Sequence, residues 1–479
     1  MTNTAFHSAR ATFIRLCEGH AYMLTVGALI LFGHLFHLEF WFNIVHILLL
    51  SAALCLSDSV KPLATSNLIF IFQVTLKHSP SAPYFSTYYF EGARLWIVAA
   101  LVVLLAAALI AYLARTKFLS HVRFGKTPML VPLLVFSATL LTNGLFFKNY
   151  TVSNLTFAAV QVAVYLLDFL VLWDGLRRME PDELMTFAVD LSIMVSWILC
   201  IELANVYLVS VTAGLLDKRE IMFGWGISNS CACCLSIQLP LLFYGIFSGK
   251  RRLLSSITGL LSCFALVCTL SRSAIAFSAA VLFLCFLYAC LFGKQRKAFR
   301  RVALCAVLLL IVLFASLCLV FPEKAETVID YFRRTGFGDG GRISIWREAL
   351  SNFKEGPIFG VGFYGRRILN SDTLGDVYTD FYPEFAHNTL IEMLTSVGIL
   401  GLAAYLFMRV RTLSVFIKRP SAEKVFLGFS ILIFLLESQL DIFTFSIYPA
   451  FFYNFALSAA FALDQHAAQP PSSAEADGV

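Results

Sequence analysis

Charged residues are scarce in this sequence. Asp, Glu, Lys and Arg make up 14% of its 479 residues, whereas 59% are hydrophobic and the mean hydropathy is +0.79. Soluble domains carry about 25% charged residues because their surfaces face water. The composition therefore excludes a soluble globular domain and predicts a polytopic membrane protein, for which we expect no nucleic-acid partner.

Motifs that bind metal ions or nucleotides are also missing. The sequence has no HExxH motif, no pair of CxxC motifs and no cluster of aspartates, so we expect neither a metal nor another cofactor. The 12 cysteines lie in or beside apolar runs, which argues against a disulfide framework. Cys231, Cys233 and Cys234 are interpreted as packing residues of one apolar helix, because no histidine accompanies them.

Long apolar runs make up most of the sequence. About 14 of them can cross the ~30 Å hydrocarbon core of a membrane as helices. They lie near residues 20–38, 41–57, 63–77, 94–114, 129–147, 155–174, 187–211, 226–247, 254–270, 274–292, 302–321, 388–408, 425–442 and 445–463. The sequence thus predicts an all-α membrane helix bundle, with about eleven spans in residues 1–321 and about three in residues 387–464. The polar tail, residues 465–479, is predicted to be disordered.

Basic residues predict the orientation of the bundle, because short cytoplasmic loops retain Lys and Arg. With the N-terminus inside, the basic clusters at residues 115–126, 250–252 and 294–301 all fall on the cytoplasmic side. Both termini are then cytoplasmic, and residues 322–386 form one large extracytoplasmic loop. Residues 1–15 show no cleavable signal pattern, so the first span is expected to remain as an anchor.

The loop is longer than a connection between two spans requires, and such loops are usually functional. Apolar residues at helical spacing in ISIWREALSNF predict an amphipathic helix over residues 343–353, and residues 323–334 predict another short helix. The following segment, GPIFGVGFYG, contains Gly360, Gly362 and Gly365. These glycines predict either a cradle for phosphate or tight turns beneath the bundle.

His387 stands where the loop re-enters the membrane, and it is the only histidine between residues 122 and 465. A histidine at this boundary is a candidate proton acceptor; the alternative is an interfacial histidine that satisfies a backbone carbonyl. Asn388 is predicted to orient the imidazole or to cap the next span. Glu392, about one helical turn further on, is a second candidate for orienting the ring.

Arg272 and Arg219 lie at the predicted outer ends of spans, where basic residues are disfavoured. Arg272 occupies a short hairpin, TLSRSAIAF, in which an unpaired guanidinium would be costly. It is expected to pair either with Glu437 or Asp441 of another span or with a phosphate, which suits the arginine fork. Arg219, in DKRE, has acidic neighbours as well as a phosphate as possible partners.

The order of these motifs resembles the O-antigen ligase and O-antigen polymerase superfamily of bacterial membrane glycosyltransferases. The resemblance covers roughly residues 215–405 and rests on DKRE, GWGISN and LPL, then TLSRSA, then GRISIWREAL, PIFGVG and AHN in the outer loop, and finally SVGILGL. It implies transfer of a glycan from an undecaprenyl-diphosphate-linked donor to an acceptor hydroxyl, in surface-polysaccharide assembly at the outer face of the cytoplasmic membrane. The resemblance implies no role for residues 1–200 or for the tail.

Carried over by motif, the resemblance implies that His387 deprotonates the acceptor hydroxyl and that Arg272, Arg219 and Arg342 hold the diphosphate. The transferase is expected to be independent of metal, with a glycan, a lipid or a protein as acceptor. The chemistry agrees, because a donor at the outer face must already carry an activated leaving group. Arginines there would neutralise the charge that grows on the departing diphosphate.

Other functions remain open for this sequence, and they differ either in the acceptor of the glycan or in the class of protein. A polymerase extends a second lipid-linked glycan, whereas a ligase uses a different acceptor. The motif GWGISNS and the lack of an extra C-terminal domain slightly favour a polymerase. The alternative class is a lipid-linked oligosaccharide flippase, which also uses intramembrane arginines, although no inverted repeat is visible. A membrane scaffold or receptor, in which no single polar residue matters, is a third class.

Overall fold

The computed structural model describes residues 2–73, 91–145, 152–212, 221–293, 342–362 and 386–468, together with single residues and stretches of two or three residues between these ranges. Across them the chain is almost entirely helical, and its only strands there form one short antiparallel hairpin, Met222–Phe223 with Gly226–Ile227. The predicted all-α class is confirmed.

The helices are numbered along the chain. They are α1 (Thr2–Glu18), α2 (His20–Leu35), α3 (Glu39–Leu56), α4 (Lys61–Ile69), α5 (Ala93–Arg115), α6 (Phe118–His121), α7 (Leu130–Thr142), α8 (Val152–Val162), α9 (Phe169–Leu176), α10 (Pro181–Thr212), α11 (Ser228–Ser248), α12 (Arg252–Cys268), α13 (Arg272–Phe292), α14 (Arg342–Phe353), α15 (Thr389–Ser396), α16 (Gly398–Ile417), α17 (Ala422–Glu437) and α18 (Ile447–His466). A π-helical turn, Ala163–Asp168, joins α8 to α9, and 3-10 turns occupy Phe70–Gln73 and Phe443–Phe445.

Seven helices within the described ranges are long and apolar enough to cross a membrane. They are Glu39–Leu56, Ala93–Arg115, Asn154–Leu176, Pro181–Val209, Ser228–Ser248, Arg272–Phe292 and Gly398–Ile417. A bent pair, Arg10–Glu18 with His20–Leu35, is an eighth candidate if its two parts form one span. The chain is therefore a helical multi-pass membrane protein. The total of about 14 spans and the cytoplasmic placement of both termini stay predictions.

One predicted span is wrong as a single helix. The run 388–408 breaks at Val397, where α15 ends and α16 begins. Gly398 has a backbone φ of +68°, a conformation that an α-helix does not contain and that glycine adopts without strain. Of the predicted span 302–321 and the predicted helix 323–334, only single residues and stretches of two or three residues are described. The tail beyond residue 468 lies outside the described residues altogether.

The structure contains two compact units, one of residues 1–120 and 186–337, the other of residues 121–185 and 338–479. In the first unit α11 packs against α12 and α13, and 83% of its apolar stretch is buried. Cys231, Cys233 and Cys234 are fully buried in α11, as the packing interpretation predicts. Only 11% of the α5 stretch is buried, which is expected of an apolar helix that faces lipid.

The motif GWGISN supplies the turn and the second strand of the hairpin ahead of α11, and the first two residues of α11, in the first unit. Trp225 Nε1 donates a hydrogen bond to Glu202 Oε2 at 2.7 Å, and both side chains are buried. Ser228, the first residue of α11, donates through its hydroxyl to the Thr269 carbonyl. That carbonyl belongs to the turn that precedes α13. The N-terminal ends of α11 and α13 therefore lie close together.

The core of the second unit is α18, which packs against α9, α16 and α17. Arg409 of α16 is buried beside it, with its guanidinium carbon 4.6 Å from the ring centroids of both Tyr405 and Tyr453. Aromatic faces attract a cation at this distance, and the attraction strengthens when water is excluded. The arginine and the two tyrosines therefore form a cation–π cluster inside the unit.

Candidate active site at the His387 turn

His387 lies in the turn that leads into α15, and its backbone φ is +46°. Residues with a side chain seldom adopt this conformation, which costs of the order of 1 kcal/mol, although histidine adopts it more often than most. The imidazole is 40% exposed. A substrate hydroxyl can therefore approach the ring, although the backbone that presents it is fixed in a strained conformation.

Asp441 contacts the imidazole directly. Its Oδ1 lies 3.0 Å from His387 Nδ1 and also accepts a hydrogen bond from the Ile442 backbone N–H at 2.9 Å. A carboxylate at Nδ1 favours the tautomer that has its proton there, so that Nε2 is the basic nitrogen. The same division of roles orients the histidine of hydrolase triads. The pair is thus able to accept a proton at Nε2 and to stabilise the imidazolium that forms.

From the sequence, Glu392 is expected to orient this ring, and Asp441 is expected, with Glu437, as one possible partner of Arg272. In the structure the carboxylate that contacts Nδ1 is that of Asp441, whereas the pairing with Arg272 stays a prediction. Glu392 is buried, and its carboxylate accepts hydrogen bonds from the Ala386 backbone N–H at 2.9 Å and from the Ser396 hydroxyl. Through the bond to Ala386, Glu392 supports the backbone just before His387. Because His387 precedes α15, the spacing of one helical turn does not apply between the two residues. The carboxylate on the ring comes from a segment far away in the sequence.

Asn388 caps α15. Its side-chain oxygen accepts hydrogen bonds from two backbone N–H groups of the first helical turn, at 2.9 and 3.0 Å. The capping predicted from the sequence is confirmed. Its amide also donates to the Gln439 carbonyl at 3.0 Å, and the Thr389 N–H donates to the Ser438 carbonyl at 3.0 Å. These bonds attach the histidine turn to the segment that contains Asp441.

The segment Pro357–Gly362 packs against the break between α15 and α16. Four backbone hydrogen bonds of 2.8 to 3.3 Å join the two. Two of them use the N–H groups of Val361 and Gly362, which donate to carbonyls at the end of α15. These N–H groups are not available to a phosphate. Tight packing is therefore the correct interpretation for Gly360 and Gly362, whereas Gly365 lies outside the described residues.

Gly398→Ala is expected to destabilise the protein by more than about 2 kcal/mol. The added Cβ would lie 2.3 Å from the Ile358 carbonyl oxygen, at a φ of +68°. Thermal unfolding of the purified protein in detergent measures the effect. Gly259→Ala in α12 is the matched control, because its Cβ would meet no atom within 4 Å; alanine there should be neutral or slightly stabilising. Equal melting temperatures for the two variants would contradict the packing described here.

The predicted amphipathic helix 343–353 is present as α14, which begins at Arg342. It packs against α15 within the second unit, with Ala349 fully buried, while Ile343 and Leu350 stay exposed. Arg342 is half-buried at its first position. The helix that begins at this arginine is thus a neighbour of the helix that follows His387.

Arg272 is the first residue of α13 and is half-buried in the first unit. The predicted hairpin is a tight turn, in which Leu270 has a φ of +59°. The neighbouring N-terminal ends of α11 and α13 add positive partial charge, which attracts anions. Arg219 lies outside the described residues, so its predicted role stays a prediction.

Imidazole, carboxylates and backbone groups make up the site around His387. Within the part of the chain that the structure describes, no group of three or more His, Cys, Asp or Glu side chains could hold a metal ion. Independence of metal remains a prediction that a chelator can test.

Together these features define a multi-pass membrane protein with a histidine–carboxylate pair at the entrance of a helix. A family model described as O-antigen ligase matches residues 257–406, a range that includes Arg272, Arg342 and His387. The resemblance to the O-antigen ligase and polymerase superfamily is thereby confirmed. No curated protein shows significant sequence similarity to the chain. The family match and the apolar helices indicate an inner-membrane protein of bacteria with a role in glycosyl transfer during polysaccharide assembly.

Proposed function

We propose that this protein transfers a glycan from an undecaprenyl-diphosphate-linked donor to an acceptor hydroxyl at the outer face of the membrane. The observation that supports this most strongly is the contact of 3.0 Å between His387 Nδ1 and Asp441 Oδ1. It provides an oriented base in the turn that leads into α15, ahead of the span Gly398–Ile417, where we propose that a membrane-held donor and a polar acceptor meet. Of the two family activities, we favour the polymerase, in which the acceptor is a second lipid-linked glycan.

The proposed reaction is a displacement at the anomeric carbon of the donor sugar. His387 Nε2 takes the proton of the acceptor hydroxyl as its oxygen attacks that carbon. The bond from the carbon to the diphosphate oxygen breaks, and the lipid diphosphate leaves with the electron pair. Asp441 stabilises the imidazolium until the proton passes to solvent.

Arginines are proposed to bind the leaving diphosphate. Arg272 has the neighbouring ends of α11 and α13 beside it, and helix N-termini stabilise phosphate groups. The planar guanidinium forms two parallel hydrogen bonds to phosphate oxygens. Arg219 and Arg342 are proposed as further ligands, on the motifs DKRE and GRISIWREAL.

Arg272→Lys is expected to lower turnover by about tenfold or more, because lysine retains the charge and loses the fork. Initial rates with purified protein and a lipid-linked donor measure the effect. Arg94→Lys is the control, since Arg94 pairs with Glu91 at 3.2 Å on the helix end of α5 and has no proposed role. If Arg272→Lys turned over donor at the native rate, the diphosphate site would have to be assigned elsewhere.

The proposed function is tested with purified protein in detergent, which has no separate compartments and therefore gives a flippase nothing to transport across. A transferase should form new glycosidic bonds from an undecaprenyl-diphosphate glycan, and it should do so with EDTA present and no nucleotide. A ladder of products from donor alone identifies a polymerase, whereas dependence on a different acceptor identifies a ligase. No product under any pairing, together with glycan movement across liposomes, would replace the transferase with a transporter.

A further inference from the structure

A π-helical turn interrupts the span Asn154–Leu176. It covers Ala163–Asp168, in a part of the chain outside the family match. Such turns shift the register of the side chains that follow and occur often at functional sites. The side-chain amide of Asn454 in α18 donates to the Val164 carbonyl at 2.6 Å and to Asp168 Oδ2 at 3.0 Å. The irregular backbone is therefore held by specific partners.

Two side chains of this span reach the 3-10 turn that follows Asp441. Gln161 Nε2 donates to the Phe445 carbonyl at 2.7 Å, and the Tyr165 hydroxyl donates to the Thr444 carbonyl. Both side chains are buried. A buried carbonyl outside regular helix needs a donor, and within a membrane protein water seldom supplies one. Tyr165 and Gln161 therefore fix the backbone just beyond Asp441.

The same turn also contacts the histidine side of the site. Thr444 Oγ1 lies 3.0 Å from Thr389 Oγ1, and Thr389 follows His387 by two residues. Tyr165 is itself enclosed by aromatic side chains, with the rings of Phe136 and Tyr453 each at a centroid distance of 6.0 Å. Both members of the His387–Asp441 pair are thus attached to a single supporting turn, which the π-helical span holds.

We propose that Tyr165 and Gln161 are positioning residues, which hold the turn so that Asp441 Oδ1 stays within hydrogen-bond distance of His387 Nδ1. Neither side chain is assigned a contact with substrate. Their effect on catalysis rests on the proposed glycosyl transfer, whereas their effect on the turn does not. Because a displacement of about 1 Å at a catalytic group can cost a hundredfold in rate, the loss of one anchoring bond should be measurable.

Tyr165→Phe removes the hydroxyl that reaches the turn and keeps the ring. We expect kcat to fall by about tenfold with the KM for donor unchanged, and Gln161→Met to act in the same direction. Tyr453→Phe is the matched control, because this equally buried tyrosine of the same cluster bonds Thr412 Oγ1 at 2.7 Å instead of the turn. It should change kcat by less than about twofold. If a general loss of packing were the cause, kcat would fall equally in both tyrosine variants, and the positioning role would be wrong.

A double-mutant cycle tests whether Tyr165 acts through Asp441. Once Asp441→Asn has removed the carboxylate, adding Tyr165→Phe should lower kcat by less than about twofold more. A full further tenfold loss would mean that the two residues act independently, and the positioning role would be wrong.

Hydrogen–deuterium exchange tests the anchoring without substrate. The peptide that covers residues 438–446 should exchange faster in Tyr165→Phe than in the wild type or in Tyr453→Phe, since an opened turn exposes its amides. The same exchange in both variants would overturn the proposal. If this contrast were found while the wild type formed no glycosidic product, the anchoring would be supported and the proposed function would fail.

Discussion

His387→Ala is expected to lower the rate of glycan transfer by about a thousandfold, while the protein still inserts and folds. Proton transfer by a positioned base contributes about 10²- to 10⁴-fold, and alanine leaves no group that could replace it. The side chain is 40% exposed, so its loss creates no large cavity. Initial rates with purified variants, together with surface-glycan electrophoresis in a complemented deletion strain, measure the effect.

His37→Ala is a closely matched control for this substitution. His37 also has a positive φ, +55°, and its Nδ1 lies 3.9 Å from a carboxylate, that of Glu39. It lies in the first unit and has no proposed role in the reaction. Its replacement should leave transfer unchanged. Equal losses of transfer rate in both variants would mean that the strained backbone, and not the imidazole, causes the effect. Normal polymer length in His387→Ala would contradict the role of His387 as the base.

Asp441→Asn should lower kcat by about 10²- to 10⁴-fold, by analogy with the aspartate that orients a triad histidine. An amide beside Nδ1 can donate to it, which moves the imidazole proton to Nε2 and removes the basic nitrogen. The double variant with His387→Ala should be no slower than His387→Ala alone, because the two residues act as one unit. Glu39→Gln, which alters the comparable carboxylate beside His37, provides the control rate.

An Asp441→Asn enzyme with unchanged kcat would show that the contact of 3.0 Å to Nδ1 has no catalytic consequence. A change in KM alone would give Asp441 a role in binding. A melting temperature within a few degrees of the wild type is needed for either conclusion, because both residues also join two segments of the second unit.

Features that depend on local sequence were predictable. Helical apolar runs, the amphipathic helix α14 and the cap at Asn388 each follow from residues within a few positions of one another. The break at Val397 does not follow from SVGILGL. Glycine after a β-branched residue in an apolar run is compatible with a continuous span, and only the packing of Pro357–Gly362 against it requires the break.

Features that depend on distant segments were not predictable. The position of His387 at the end of the polar loop indicates its candidacy as a base, but its partner Asp441 lies 54 residues further along the chain. No spacing rule connects them. Helical spacing suggests Glu392 as the residue that orients the ring, whereas the carboxylate that contacts Nδ1 is that of Asp441. Tyr165 gave no signal, since a π-helical turn within an apolar run has no pattern of its own.

Chemical rescue of His387→Gly tests the central claim most directly. Glycine adopts the φ of +46° at that position without strain, and the half-exposed site leaves room for imidazole from solution. We predict that the purified variant forms almost no product from a lipid-linked donor, and that added imidazole restores product in proportion to its concentration. Transfer by His387→Gly at the wild-type rate without imidazole would contradict the assignment of His387 as the base.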